Sequence, residues 1–99
     1  MPKKYRSKIE IMKQILQTAN GHSTHKTRLM YSVYLSYEQL KEYLVILVQS
    51  GLIEHIEDVN TYKTTEKGLK FLKLLEYMEV EFMNIPHKSR IQNMPQNRL

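Results

Sequence analysis

The sequence predicts a mainly α domain with a small β-hairpin: a three-helix core, a two-stranded hairpin and a C-terminal helix. Three observations point to it. Two capping boxes, Ser7-Lys8-Ile9-Glu10 and Ser36-Tyr37-Glu38-Gln39, each precede an apolar stripe at helical spacing. Two short β-prone runs flank Asp58-Val59-Asn60. After them the apolar residues return to a helical period.

In the first helix, expected at about 8–19, Ile11, Met12, Ile15, Leu16 and Ala19 share one face. Asn20-Gly21 ends it, because either residue can take the left-handed C-cap conformation. Thr24 is the next N-cap candidate, and Leu29, Met30 and Val33 give a two-turn helix over 25–33 its apolar face. Tyr34-Leu35 makes a tight link to Ser36, the N-cap of the third helix. That helix buries Leu40, Tyr43, Leu44, Leu47 and Val48, and Ser50-Gly51 closes it. A short helix, a tight link and a longer capped helix make a helix-turn-helix signature.

Leu52 to Glu57 and Thr61 to Thr64 read as the two strands of a hairpin. Coming directly after a helix-turn-helix, this hairpin occupies the position of a wing. Thr64 or Thr65 then caps a last helix at about 65–84. Phe71, Leu75, Met78, Phe82 and Ile85 step by 4-3-4-3, a coiled-coil seam, while Leu69, Leu72 and Leu74 are free to dock on the domain. Because apolar residues exceed one stripe, this helix is expected to join a homodimer. Residues 85–99 hold two prolines and no period, and read as a flexible basic tail; residues 1–6 read as a basic arm. The folded domain is expected over 7–84.

At 99 residues one domain is the default, long enough to bury a core without covalent staples. The absence of Cys excludes a disulfide framework, a thiol nucleophile and a thiolate zinc site. The longest apolar run, Tyr43 to Val48, is far short of the ~18 residues that span a bilayer, so no membrane partner is expected. The start is too charged for a secretory signal, and the expected location is the cytoplasm, associated with the nucleoid.

The net charge of +5 is unevenly spread. Residues 1–35 carry +6, residues 36–84 carry −4, and residues 85–99 carry +3. A nucleic-acid surface would therefore draw its positive charge from the first third and the tail. His22 and His25 have no sequence-close third ligand, and His55 and His87 are isolated, so no metal site is expected. No nucleophile-base pair, Gly-rich phosphate loop or paired carboxylates is visible, so neither a cofactor nor an enzyme activity is expected. Most of the seven tyrosines read as packing residues.

Two blocks carry a family resemblance. Leu35-Ser36-Tyr37-x-x-Leu40-x-x-Tyr43-Leu44-x-x-Leu47-x-x-x-Gly51-Leu52-Ile53 resembles small archaeal winged-helix proteins, a group of predicted transcriptional regulators. Tyr62-x-Thr64-Thr65-Glu66-Lys67-Gly68-x-x-Phe71-Leu72 resembles the end of their wing and the start of their last helix. The match covers about residues 7–83. That family includes dimeric chromatin proteins of hot-acid archaea, joined through a long C-terminal helix in an antiparallel coiled coil. The resemblance implies duplex DNA binding and dimerisation. A modest last helix, 11 Asn+Gln and 6 Met fit a moderate-temperature regulator better than a chromatin packer.

Helix-turn-helix proteins place the start of the motif's second helix in the major groove. The side opposite Leu40, Tyr43, Leu44 and Leu47 displays Glu38, Lys41, Glu42, Val45 and Gln49, with Ser36 and Tyr37 at the helix start. Lys41 suits guanine, Gln39 adenine, and Glu38 or Glu42 cytosine. Thr24, Lys26, Thr27 and Arg28 are the expected phosphate contacts, joined by Tyr62 and Lys63 on the return strand of the wing. The expected partner is double-stranded DNA, bound with sequence preference by a homodimeric regulator. Two other uses compete: a winged helix for protein contacts, favoured by the acidic groove face and wing tip, and a sequence-tolerant nucleoid protein.

Overall fold

The computed structural model describes residues 6–83; the tail, Ile85 and the first five residues lie outside them. Four helices and one hairpin follow in the order α1 (Lys8–Thr18), α2 (Lys26–Val33), α3 (Tyr37–Gln49), β1 (Ile53–Ile56), β2 (Thr61–Thr64) and α4 (Glu66–Met83). This is the predicted three-helix core, wing and C-terminal helix.

Both capping boxes form. The Glu10 N–H donates to Ser7 Oγ at 3.0 Å, and the Ser7 N–H donates to Glu10 Oε1 at 3.3 Å. At α3 the Gln39 N–H donates to Ser36 Oγ at 3.1 Å, and the Ser36 N–H returns to Gln39 Oε1 at 3.0 Å. Each box satisfies two main-chain donors that a helix start leaves unpaired. Thr65 caps α4, accepting from the Gly68 N–H at 3.0 Å.

The second helix starts differently from expectation. His25, not Thr24, is its N-cap, and no side chain caps it. The wing has captured Thr24: its N–H donates to the Tyr62 carbonyl and its carbonyl accepts from the Tyr62 N–H, both at 2.8 Å. Thr24 thus adds a one-residue third strand to the hairpin and is only 2 % exposed. A main-chain pair of this kind outcompetes a side-chain cap, because both groups are buried and must be bonded.

The hairpin pairs Ile53 with Thr64, Glu54 with Lys63, His55 with Tyr62 and Ile56 with Thr61. Asn60, at φ 53°, makes its turn. Threonines tie this hairpin to the end of α1. Thr64 Oγ1 donates to the Leu16 carbonyl at 2.8 Å and the Thr64 N–H to the Ala19 carbonyl at 2.9 Å. Thr24 Oγ1 lies within reach of the Thr18 and His22 carbonyls. The Leu16, Thr18 and Ala19 carbonyls among them lie at the end of α1, which cannot satisfy them itself.

The core lies between α1, α2, α3 and the root of the wing, with Ile15, Leu16, Leu29, Val33, Leu40, Leu47 and Ile53 at its centre. The rotation of α4 about its axis is set by Gly68. A Cβ there would overlap the Leu52 carbonyl oxygen and crowd the Thr64 methyl, so only glycine allows this approach. With Gly68 inward, Leu72 is buried and Phe71 and Leu69 pack against the core of their own chain. Leu74, expected to dock on the domain, points outward instead, as do Tyr77, Met78 and Val80. Further along, Lys13 of α1 pairs with Glu79 at 2.6 Å, and Gln17 donates to Glu76 at 3.2 Å. Among the described residues no helix is long and apolar enough to cross a membrane.

Candidate nucleic-acid interface

The turn between α2 and α3 fixes how α3 is presented. Tyr34 ends α2 in the left-handed conformation, φ 58° and ψ 51°, and the Leu35 N–H bonds back to the Met30 carbonyl at 3.1 Å. Leu35 is buried, which holds Ser36 where it can start α3. Leu40, Leu44 and Leu47 then bury one side of α3 and leave Glu38, Lys41, Glu42, Val45, Ile46 and Gln49 facing solvent.

A cleft runs between that exposed side and the wing. Its walls include Lys26 from α2, Tyr37, Lys41, Val45 and Gln49 from α3, and His55 and Tyr62 from the hairpin. The Lys26 Nζ sits 4.9 Å from the centre of the Tyr37 ring and 3.4 Å from its hydroxyl. This contact places a half-buried cation at the mouth of the cleft. Deeper in, the His55 and Tyr62 rings stack at 4.6 Å and 15°, and His55 Nε2 lies 2.8 Å from Asn60 Oδ1.

Four expected contact residues, Lys26, Tyr37, Lys41 and Tyr62, therefore meet in one place. Others do not join them. Thr24 is buried with its hydroxyl turned to carbonyls, so its side chain is not presented to a phosphate. Ser36 Oγ and Gln39 Oε1 are both engaged in the capping box, which turns the Gln39 amide back onto the helix start and out of position for a bidentate adenine contact. Lys63 is exposed but alternates to the face of the hairpin away from Tyr62. Thr27 and Arg28 line a separate shallow patch on α2 with His25, Tyr31 and Ser32.

Two features of this surface were not expected from sequence. His55, read as isolated, is the cross-strand partner of Tyr62; the hairpin register was the available signal. Tyr31, Tyr34 and Tyr77 are exposed rather than packed. Val45, expected on the solvent face of α3, is 48 % exposed there, and Ile46 stands at the edge of that face, 46 % exposed. Glu57 and Asp58 leave the wing tip acidic, as their sequence implied.

Of the dimer-seam candidates, Phe71 and Leu75 are half-buried within their own chain. Met78 is exposed and borders a shallow groove with Ile9, Lys13 and Leu75. Phe82 falls in the last turn of α4. The described residues bring together no group of three or more His, Cys, Asp or Glu.

A family model described as winged helix-turn-helix matches residues 5–82. No curated protein matches the chain.

Proposed function

We propose, because this chain belongs to the winged helix-turn-helix family, a DNA-binding family, that it is a sequence-preferring, double-stranded DNA-binding regulator. It acts as a homodimer without enzymatic activity. The observation that carries this reading is the cleft beside α3, where Lys26, Tyr37 and Lys41 flank a helix face that no other element packs against among the described residues. In this reading α3 enters the major groove and the start of α2 holds the neighbouring phosphates. Lys26 and Arg28 lie in the first turn of α2, whose free main-chain amides carry no capping side chain and favour an anion.

The acidic residues of α3 shape the same reading. Glu38 and Glu42 face the field of phosphates and weaken indiscriminate binding, which favours a selective regulator over a nucleoid packer. They also support a second reading, a winged helix that docks on a basic protein surface.

Duplex binding measured against salt separates these readings. A steep log–log slope that falls by about 1–2 in a Lys26→Ala, Arg28→Ala double variant is the expected result. Weak, salt-insensitive binding that ignores both substitutions would overturn DNA binding and promote the protein-docking reading. Equal affinity for every duplex would favour the nucleoid role.

A further inference from the structure

The crest of α3 carries an unusual sequence of chemistries. At 100° per residue, Glu38, Glu42, Val45 and Gln49 fall within a narrow arc opposite the buried leucines. Lys41 sits on the flank nearer the wing, and no arginine stands on this face. Glu38 has a structural reason to be there, since a carboxylate in the first turn complements the helix dipole. Val45 has none, and Glu42 lies beyond the first turn, where the dipole no longer favours it. Glu42 is in the middle of the helix with no ion-pair or hydrogen-bond partner among the described residues. Val45 is β-branched, which lowers helix propensity, and its side chain is half in water, so it returns little burial. Ile46 adjoins it in the same position of disadvantage. Single exposed apolar residues are ordinary. Two β-branched residues side by side on the solvent side of α3 lower its helix propensity and bury little in return.

We propose that Glu42 and Val45 form a base-reading pair for pyrimidines: Glu42 accepts from the N4 amino group of a cytosine, and Val45 packs on the 5-methyl group of an adjacent thymine. The proposal rests on the DNA-binding reading above and specifies what α3 selects. A carboxylate among phosphates is repelled unless a base amino group donates to it, so it acts as a filter against sites without that donor. A thymine methyl is the one apolar group that the major groove offers, and a solvent-facing Val is its complement. The spacing fits. Residues 42 and 45 are three apart on one face, about 5–6 Å between Cβ atoms, near enough for the two side chains to reach adjacent base edges. Both residues are exposed, so truncating either leaves the core intact.

The test uses the full chain and a pool of random 20-base-pair duplexes (length chosen to exceed one helical turn, ~10 base pairs). Selected sites should share an adjacent thymine and cytosine on one strand. Replacing that thymine by deoxyuridine removes only the methyl, and should weaken wild-type binding about 3–5-fold. Val45→Ala should bind both versions alike. Glu42→Gln should shift the preferred base from cytosine toward adenine. Selected sites without this step, equal wild-type affinity for thymine and deoxyuridine, or an unchanged cytosine preference in Glu42→Gln would each overturn the pair while leaving DNA binding in place. Retention of no duplex at all would overturn both readings.

Discussion

Thr24 and Tyr62 exchange both main-chain hydrogen bonds at 2.8 Å, joining residues 38 positions apart. This pair holds the start of α2 against the root of the wing, so Lys26 reaches the same cleft as His55 and Tyr62. Thr24 is therefore structural, and Lys26, two residues later, is the residue presented to a ligand. Thr24→Ala should lower stability by about 1–2 kcal/mol, through the lost hydroxyl bond and methyl packing. It should leave the salt slope of duplex binding unchanged. Lys26→Ala should do the reverse, keeping stability and flattening the slope by about one. Urea denaturation and salt-dependent binding on both variants check the pair; a flattened slope in Thr24→Ala would show that its hydroxyl reaches a phosphate after all.

The approach of α4 to the domain depends on a missing side chain. A Cβ on Gly68 would collide with the Leu52 carbonyl oxygen, a main-chain atom fixed by the bond it accepts from the Thr65 N–H at 3.0 Å. Gly68→Ala must therefore push α4 outward. The expected cost is about 1–3 kcal/mol, despite the better helix propensity of alanine. Equal or higher stability in denaturant would mean that α4 shifts without strain.

These two residues also mark what sequence could and could not reveal. The capping boxes at Ser7 and Ser36 were legible because their partners lie three residues away and leave a fixed local pattern. The hairpin was legible from two β-prone runs around a turn. The Thr24–Tyr62 pair was not, since a one-residue strand has no period and its partner is remote in sequence. The phase of α4 was illegible for a different reason. Apolar residues surround that helix, and only the close approach at Gly68 decides that Phe71 and Leu72 go in and Leu74 out. At the candidate interface the solvent face of α3 followed from its leucines. The loss of Gln39 to the capping box was visible in the same four residues that proposed it as a base reader.

Among the described residues, one buried side-chain polar atom lacks a partner. Thr61 Oγ1, opposite Ile56 in the hairpin, makes no hydrogen bond although the residue is almost fully enclosed. Desolvating a hydroxyl without compensation is unfavourable. Thr61→Val keeps the shape and the β-branched strand preference while removing the orphan. It should raise stability by about 1 kcal/mol; a loss in thermal or urea unfolding would imply that an ordered water satisfies the hydroxyl.

Tyr34 occupies a conformation that suits glycine or asparagine, yet its ring is 83 % exposed and does not pack to offset the strain. The main chain there is useful, since its carbonyl accepts from Arg6 Nη2 at 3.3 Å. Tyr34→Gly preserves that carbonyl and relieves the left-handed strain. After allowing for the greater freedom of glycine when unfolded, a gain of about 0.5–1 kcal/mol is expected. A drop in melting temperature would point to a contact of the ring that offsets its strain.

The outward face of α4 bears on self-association. Leu74, Tyr77 and Met78, spaced i, i+3 and i+4, form one exposed apolar strip, and Tyr77 is 62 % exposed. Phe71, by contrast, packs against the core of its own chain, so a charge there would destabilise the domain and confound a test of the dimer. If α4 joins two copies, the strip centred on Tyr77 is the surface that does it. A Leu74→Glu, Tyr77→Glu double variant should then sediment as a monomer at ~50 µM, a concentration at which a useful dimer remains associated. Its helicity and unfolding midpoint should stay near wild type, because neither side chain contributes to the core. Wild type that is already monomeric at that concentration would rule out the homodimer. A dimer that survives both substitutions would instead place the interface elsewhere.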